Sequence, residues 1–145
     1  MIDRRPAVIV RCAGAADVRA ALNFARDHHM PLAVRGGGHN IAGSALCDDG
    51  LVIDLSAMTS VHIDPDQRRA LVEPGATLHD FDHEAQAFGL ATPLGINSTT
   101  GVAGLTLDGW PGTVARTHAS LTSTWALACA ARPSRARPKV RRLRC

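Results

Sequence analysis

The stretch RGGGHN, residues 35–40, places three consecutive glycines between an arginine and a histidine. Three glycines leave the backbone nearly unrestrained, which costs conformational entropy on folding unless another group must approach the chain closely. Successive backbone N–H groups in such a loop can point into one concavity and hold an anion such as a pyrophosphate. Arg35 could add charge-assisted hydrogen bonds. The alternative is a tight turn after a strand, which the three glycines alone would favour.

Two common phosphate-binding loops are excluded by the residue types. A Walker A loop requires a lysine, and no lysine precedes Trp110. The dinucleotide fingerprint GxGxxG would require a glycine where Ile41 stands. A second segment, NSTTGVAG at residues 97–104, offers hydroxyls, small side chains and backbone N–H groups. This second segment favours a dinucleotide-binding surface over the tight turn.

The elements that must position these loops begin with a strand, a helix and a second strand. The β-branched run at residues 7–10 predicts a short buried strand. Residues 15–29 predict a helix, because their apolar residues recur at helical spacing: Val18, Ala21, Leu22 and Ala25. Residues 31–34 predict a second strand that leads directly into the glycines.

Further strands and a second helix follow. Residues 51–55 predict a third strand, and the turn-like sequence at residues 64–67 predicts two more strands joined by a hairpin or a short loop. Residues 75–89 predict a helix whose apolar face and end signals are in place: Leu78, Phe81, Ala85 and Phe88, a capping box of Thr77 with Asp80, and Gly89 as the C-terminal stop.

Other polar residues could do chemistry but carry weaker signals. His79 and His83 are four residues apart with Glu84 beside them, which would make half of a metal site. No third ligand is evident and the order is not HExxH, so we predict an exposed helix face and no bound metal. Asp54 alternates with apolar residues, which favours an outward strand position or a role in orienting a loop over catalysis.

Length and composition predict one soluble domain with a hydrophobic core. The chain has 145 residues, of which 46% are hydrophobic, and no window approaches the run of about 18 apolar residues that a membrane span needs. The first residues lack the pattern of a signal peptide, so we expect a cytoplasmic protein without a membrane partner. The cysteines Cys12, Cys47, Cys129 and Cys145 are scattered, which favours free thiols over disulfides or zinc.

The net charge of +3 is unevenly distributed and suggests a boundary near Trp110. Residues 1–110 contain 8 basic and 13 acidic residues, a charge of −5, whereas residues 111–145 contain 8 basic residues and no acid, a charge of +8. Residues 111–145 are rich in Pro, Arg, Ser and Ala without periodicity, which predicts a disordered tail. A basic arm for nucleic acid is the functional alternative, and we do not favour it.

Several motifs together resemble the FAD-linked oxidases that have a vanillyl-alcohol-oxidase-type (PCMH-type) FAD domain, in particular the berberine-bridge-enzyme-like branch. The similarity runs from about Arg5 to Leu107, with its motifs in the right order: AVIVRC, ADVRAALNFARDHHMPLAVRGGGHN, LVIDLSAM, ALVEPGATLHDFDHEAQAFGLATPLG and STTGVAGLTL. This resemblance implies an α+β fold, with a small β-α-β N-terminal subdomain followed by the start of a second α/β subdomain. Residues 1–110 would then be a partial, truncated PCMH-type FAD-binding domain.

The resemblance also implies that the cofactor is FAD and indicates which residues are expected to bind it. The expected cofactor-binding residues are Arg35, Gly36, Gly37, Gly38, His39, Asn40, Asn97, Thr99, Thr100, Gly101 and Gly104. The arginine and the glycines match the loop that wraps the pyrophosphate, and His39 matches a histidine that in many members bonds covalently to the flavin. A hydrogen-bonded loop histidine or a noncovalent flavin contact are the alternatives for His39. Asn97 stands where some members have a second attaching cysteine, so at most one covalent link is expected.

The chain departs from the family after Leu107, where relatives continue with a glycine triplet. Here Asp108, Gly109 and Trp110 follow, and the acid-free tail then begins, which suggests a frameshift near Asp108. The predicted function is the FAD-binding portion of an oxidoreductase that, in the full-length relative, oxidises a small-molecule alcohol or amine by hydride transfer to flavin N5. The alternative is an inactive truncated product, or a non-catalytic module with a basic tail that binds a nucleotide or nucleic acid. No tyrosine is present to act as a phenolate base, and we expect no turnover from this chain alone.

Overall fold

The computed structural model describes residues 2–107 and the backbone of residues 130–131. Helices and strands alternate along this part of the chain, in the order β1 (Val8–Arg11), α1 (Ala15–Asp27), β2 (Leu32–Arg35), β3 (Leu51–Asp54), β4 (Val61–Asp64), β5 (Arg69–Val72), α2 (Leu78–Ala87), β6 (Leu90–Ala91), α3 (Val102–Leu107) and β7 (Ala130–Ala131). The predicted α+β class and the β-α-β start of the chain are therefore confirmed.

The first three strands form a parallel sheet in the order β1-β3-β2. All four residues of the central strand β3 are buried. The predicted burial of β1 is wrong, since Val8 is 38% and Ile9 57% exposed. Both belong to an edge strand, which has a neighbour on one side only, whereas β3 is enclosed between two strands.

Helix α1 packs against the central strand through a narrow stripe. Ala21 and Ala25 are buried together with Leu51 and Ile53 of β3. Leu22, which the periodicity placed on the same apolar face, is 43% exposed. The small alanines bring the helix close to the sheet, so the apolar contact is narrower than the pattern predicted.

The second half of the described chain has its own hydrophobic cluster. Strands β4 and β5 form the predicted antiparallel hairpin, and α2 packs on them through Phe81, which is fully buried. Gly89 ends α2 in the left-handed conformation with φ of 65°, as predicted for a C-terminal stop. Phe88 is 49% exposed, so the buried face of α2 ends at Ala85 and that part of the prediction is wrong.

The predicted capping box at the start of α2 is present. The Asp80 N–H donates to Oγ1 of Thr77 at 3.4 Å, and the Thr77 N–H donates to Oδ2 of Asp80 at 2.8 Å. The Thr77 hydroxyl also donates to that carboxylate at 2.7 Å. The two hydrogen bonds that the Asp80 carboxylate accepts from Thr77 lower its pKa, and the bond from the Thr77 backbone N–H has the larger effect. The charged carboxylate therefore contributes stability that protonation removes.

Asp80→Asn is expected to destabilise the fold by about 1 kcal/mol at neutral pH, as the loss of a helix cap does. Because the pKa is lowered in the folded state, this contribution is complete above the unfolded value of about 3.9 and is lost as the pH falls through the folded value. Urea unfolding at neutral and at acid pH measures the difference between variant and wild type, which should shrink in acid.

Asp82→Asn on the same helix is the matched control for this experiment. Partial desolvation raises the pKa of Asp82, so its charge is unfavourable in the folded state and its removal should cost no stability at neutral pH. A loss of equal size for Asp80→Asn at both pH values would contradict a role for its charge.

The remaining predictions concern the cysteines, the membrane and the tail. Cys12 and Cys47 are buried free thiols, while Cys129 and Cys145 lie outside the described residues. In the described part of the chain, no helix is long and apolar enough to cross a membrane. Apart from β7, which pairs antiparallel with β6, the segment predicted to be a disordered tail lies outside the described residues. The predicted frameshift near Asp108 lies there too.

Candidate functional site

The glycine loop begins where β2 ends, at Arg35, and runs close to other backbone from its first residue. A Cβ atom on Gly36 would lie 2.8 Å from the carbonyl oxygen of Pro74. Gly38 has φ of 69°, the left-handed region in which a side chain is strained. The sequence RGGG is therefore explained by close backbone approach and by local conformation.

The second segment is fixed by the start of helix α2. The Leu78 N–H donates to the carbonyl of Thr100 at 2.9 Å, and the His79 N–H donates to the carbonyl of Ser98 at 3.0 Å. The first N–H groups of a helix have no partner inside the helix, so these bonds satisfy them and anchor the segment at the same time. The second segment is therefore held rigidly by a capped helix.

The two loops meet at Gly37 and Gly101. A Cβ atom on Gly37 would lie 2.7 Å from Cα of Gly101, and one on Gly101 would lie 3.0 Å from Cα of Gly37. Backbone thus faces backbone without room for a side chain on either side. The structure brings together the two segments that the sequence predicted to share one site.

Backbone donors line this junction. Within the described residues, the N–H groups of Gly36, Gly37, Gly38 and His39 make no hydrogen bond, and neither does that of Gly101. Successive backbone N–H groups without a partner, next to a positive charge, are groups that can bind an anion. Arg35 supplies that charge from a side chain that is 45% exposed.

A hydrogen-bonded chain crosses from the glycine loop to the second segment. Nε2 of His39 lies 3.3 Å from Oγ1 of Thr99, and this hydroxyl donates to Oδ1 of Asn97 at 2.8 Å. The same Oδ1 accepts from the Thr99 N–H at 3.0 Å, which identifies it as the amide oxygen. Nε2 of His39 and Oγ1 of Thr99 are therefore within hydrogen-bonding distance, and the tautomer of the imidazole decides which of the two donates.

Within the described part of the chain, Asn40 and Gly104, two of the predicted cofactor-binding residues, make no contact that links the two loops. Thr100, a third, contributes only its backbone. Oδ1 of Asn40 accepts from the Ser44 N–H at 3.4 Å and so closes a local turn. Gly104 lies inside α3, and a Cβ atom there would meet nothing within 4 Å. Thr100 contributes its carbonyl, which binds the start of α2.

Sequence reasoning left the role of one residue open. The outward strand position considered for Asp54 is wrong, since the residue is 5% exposed. Its carboxylate lies 3.5 Å from the Arg35 guanidinium, which agrees with the other prediction, a role in orienting a loop. The only signal in the sequence was a single carboxylate at the end of an otherwise apolar strand. Pro74, which approaches Gly36, was missed, and the dipeptide Pro-Gly indicated only a turn.

The histidine pair on α2 lies on an exposed face of the helix, as predicted. The rings of His79 and His83 have centroids 6.4 Å apart, and Nδ1 of His83 contacts the Glu84 carboxylate at 3.2 Å. Among the residues that the structure describes, no group of three or more His, Cys, Asp or Glu is placed to hold a metal ion.

Comparison with known proteins assigns this region to a family. Residues 6–127 match the sequence model of a family described as an FAD binding domain. This match extends 20 residues beyond Leu107, where the resemblance of individual motifs ends. The chain is 41% identical over 109 residues to (R)-6-hydroxynicotine oxidase of Paenarthrobacter nicotinovorans, which covers 75% of this chain and 24% of that protein.

Two further relatives support the predicted fold and the predicted berberine-bridge-enzyme-like branch of the family. Berberine bridge enzyme-like 27 of Arabidopsis thaliana is 31% identical over 119 residues, which is 79% of this chain and 22% of that protein. The crystal structure of 6-hydroxy-D-nicotine oxidase from Arthrobacter nicotinovorans superimposes with a TM-score of 0.70 at 41% identity, over 72% of this chain and 23% of that one. The chain thus spans about a quarter of the length of the proteins it matches, and the predicted PCMH-type fold is confirmed.

Proposed function

Because the chain belongs to the FAD binding domain family of FAD-linked oxidoreductases, we propose that its glycine loop and second segment hold the pyrophosphate of FAD. The observation that carries this proposal is the row of N–H groups from Gly36 to His39 that make no hydrogen bond among the described residues, next to the junction of Gly37 with Gly101. A pyrophosphate is an anion that accepts several hydrogen bonds at once, which suits such a row.

The residues present fit this cofactor. A side chain at Gly36 would meet the backbone of Pro74, and one at Gly37 or Gly101 would meet the backbone of the other loop, so the glycines allow the two loops to stay together. Arg35 stands at the base of the loop with a half-exposed guanidinium, suited to an anion. The capped helix α2 fixes the opposite wall, so little conformational freedom would be lost on binding.

His39 is the residue that we propose for covalent attachment of the flavin. Its place directly after the glycines and its bond to Thr99 direct the imidazole along the junction of the two loops. In the neutral imidazole one ring nitrogen carries a free lone pair and can act as the nucleophile. Asn97, which accepts two hydrogen bonds from Thr99, has an amide in place of an attaching thiol, so only one attachment point is offered.

FAD when bound supplies the capacity to accept a hydride at N5. We propose that the whole protein oxidises a small-molecule alcohol or amine, and that the described residues contribute binding and orientation of the cofactor.

The cytoplasm is the compartment that we propose, since Cys12 and Cys47 are free thiols. Burial raises the pKa of Cys12, which disfavours its reactive thiolate.

Titration with FAD, followed by quenching of flavin fluorescence, tests the proposal. We expect saturable binding that ADP inhibits when it is added together with FAD, because ADP shares the pyrophosphate, and that adenosine does not inhibit. Absence of binding would contradict the proposal and favour a module that does not hold FAD. Equal competition by adenosine and ADP would place the recognition away from the glycine loop.

A further inference from the structure

Among the residues that the structure describes, Asp54 is the only charged one that is buried. It ends the central strand β3, in register with Arg11 at the end of β1 and Arg35 at the end of β2. Residues paired in this way point to the same face of a sheet. The carboxyl edge of the sheet therefore carries a row of two arginines with one aspartate between them.

The contacts of Asp54 within this row are unequal. Its Oδ2 lies 3.5 Å from Nη1 of Arg35 and 4.0 Å from Nε of Arg11. Its Oδ1 accepts from the Ser56 N–H at 3.1 Å. The Arg11 side chain is 74% exposed, whereas that of Arg35 is 45% exposed. A buried carboxylate requires a partner charge, and Arg35 is the closer and less solvated of the two.

Arg35 in turn lies under the glycine loop. A Cβ atom on Gly38 would be 3.0 Å from Nε and 3.5 Å from Nη2 of Arg35. The guanidinium thus lies against the residue that has the left-handed conformation, one position before His39. Two consecutive contacts, from Asp54 to Arg35 and from Arg35 to Gly38, connect the core of the sheet to the loop.

We propose that Asp54 is a positioning residue for FAD binding, acting through Arg35. The buried carboxylate fixes the guanidinium against Gly38, and this holds the loop in the left-handed conformation that Gly38 adopts. Nη1 of Arg35 lies 3.5 Å from the Asp54 carboxylate, which leaves the donors on Nε and Nη2 for a phosphate. This inference rests on the proposed function, since it concerns the same loop.

A double-mutant cycle on FAD affinity tests the inference. Asp54→Asn keeps the shape of the side chain and an acceptor for Ser56 but removes the charge that holds Arg35. We expect it to weaken FAD binding about tenfold, the effect of losing one well-placed charged interaction. In the background of Arg35→Gln, the same change should have no further effect, because Asp54 acts through that arginine. Asp64→Asn is the control, since its carboxylate also accepts a backbone N–H, from Gln67 at 2.9 Å.

Several outcomes would overturn the inference. Wild-type affinity in Asp54→Asn would refute it, and so would an equal loss of affinity in the presence and absence of Arg35, which would indicate a purely structural role. Both results leave FAD binding by the wild type intact, whereas failure of the wild type to bind FAD would refute the proposed function and this inference with it.

A second comparison serves if Asp54→Asn does not fold. Arg35→Gln should weaken FAD binding and shift the amide NMR resonances of Gly38 and His39 in the FAD-free chain, while Arg11→Gln should do neither. Equal effects of the two arginine variants would refute the specific path through Arg35.

Discussion

Gly37→Ala is expected to abolish FAD binding while the rest of the fold stays intact. The added methyl group would lie 2.7 Å from Cα of Gly101, a backbone atom that cannot rotate away as a side chain could. Real Cβ atoms do not approach other carbon atoms so closely, so the two loops must separate. Titration with FAD measures the loss, and circular dichroism measures the secondary structure that should persist.

Gly14→Ala is the matched control for this substitution. Gly14 precedes helix α1, and a Cβ atom there would meet nothing within 4 Å. As an N-cap change it should cost at most about 1 kcal/mol of stability. FAD affinity should equal that of the wild type. If Gly37→Ala also bound FAD with wild-type affinity, the junction of the two loops would not be the cofactor site.

We expect that the His39→Ala variant retains no flavin after denaturation. If the imidazole is covalently attached, acid-precipitated wild-type protein that was loaded with FAD should remain yellow, whereas the variant should release its flavin completely. Absorbance of the redissolved precipitate measures the bound fraction. Noncovalent binding to the variant should persist, because the backbone donors of Gly36, Gly37 and Gly38 are unchanged.

His62→Ala serves as the control, since this histidine is on strand β4 and exposed. It should retain as much acid-stable flavin as the wild type. Complete release of flavin from precipitated wild type would reject the covalent link and support a noncovalent contact of His39. Retention by His39→Ala would place the attachment on another residue.

The features predicted well from the sequence are those with local causes. The capping box depends on two residues three positions apart, the stop at Gly89 depends on its own backbone conformation, and the hairpin depends on the turn between its strands. The glycine loop could be recognised because three consecutive glycines destabilise a fold unless the backbone there must approach another group closely. In each case, the physical reason lies within a few residues of the signal.

The features that could not be predicted depend on which distant residues become neighbours. The exposure of Ile9 follows from the position of β1 at the sheet edge, and the strand order β1-β3-β2 is not encoded by hydrophobic runs. The same holds for the contact of His39 with Thr99, which are 60 positions apart. Asp54 shows this most clearly, because its burial depends on flanking strands whose arginines are far away in the sequence.

The most direct test of the FAD site is a map of the amide resonances that FAD shifts in the isotopically labelled chain. We expect the largest changes at residues 35–39 and 97–101, in both loops at once and at matching FAD concentrations. The amides of His62 and Asp64, on strand β4, should not move. Shifts confined to another surface, or no shifts at saturating FAD, would contradict a cofactor site at the junction of Gly37 and Gly101.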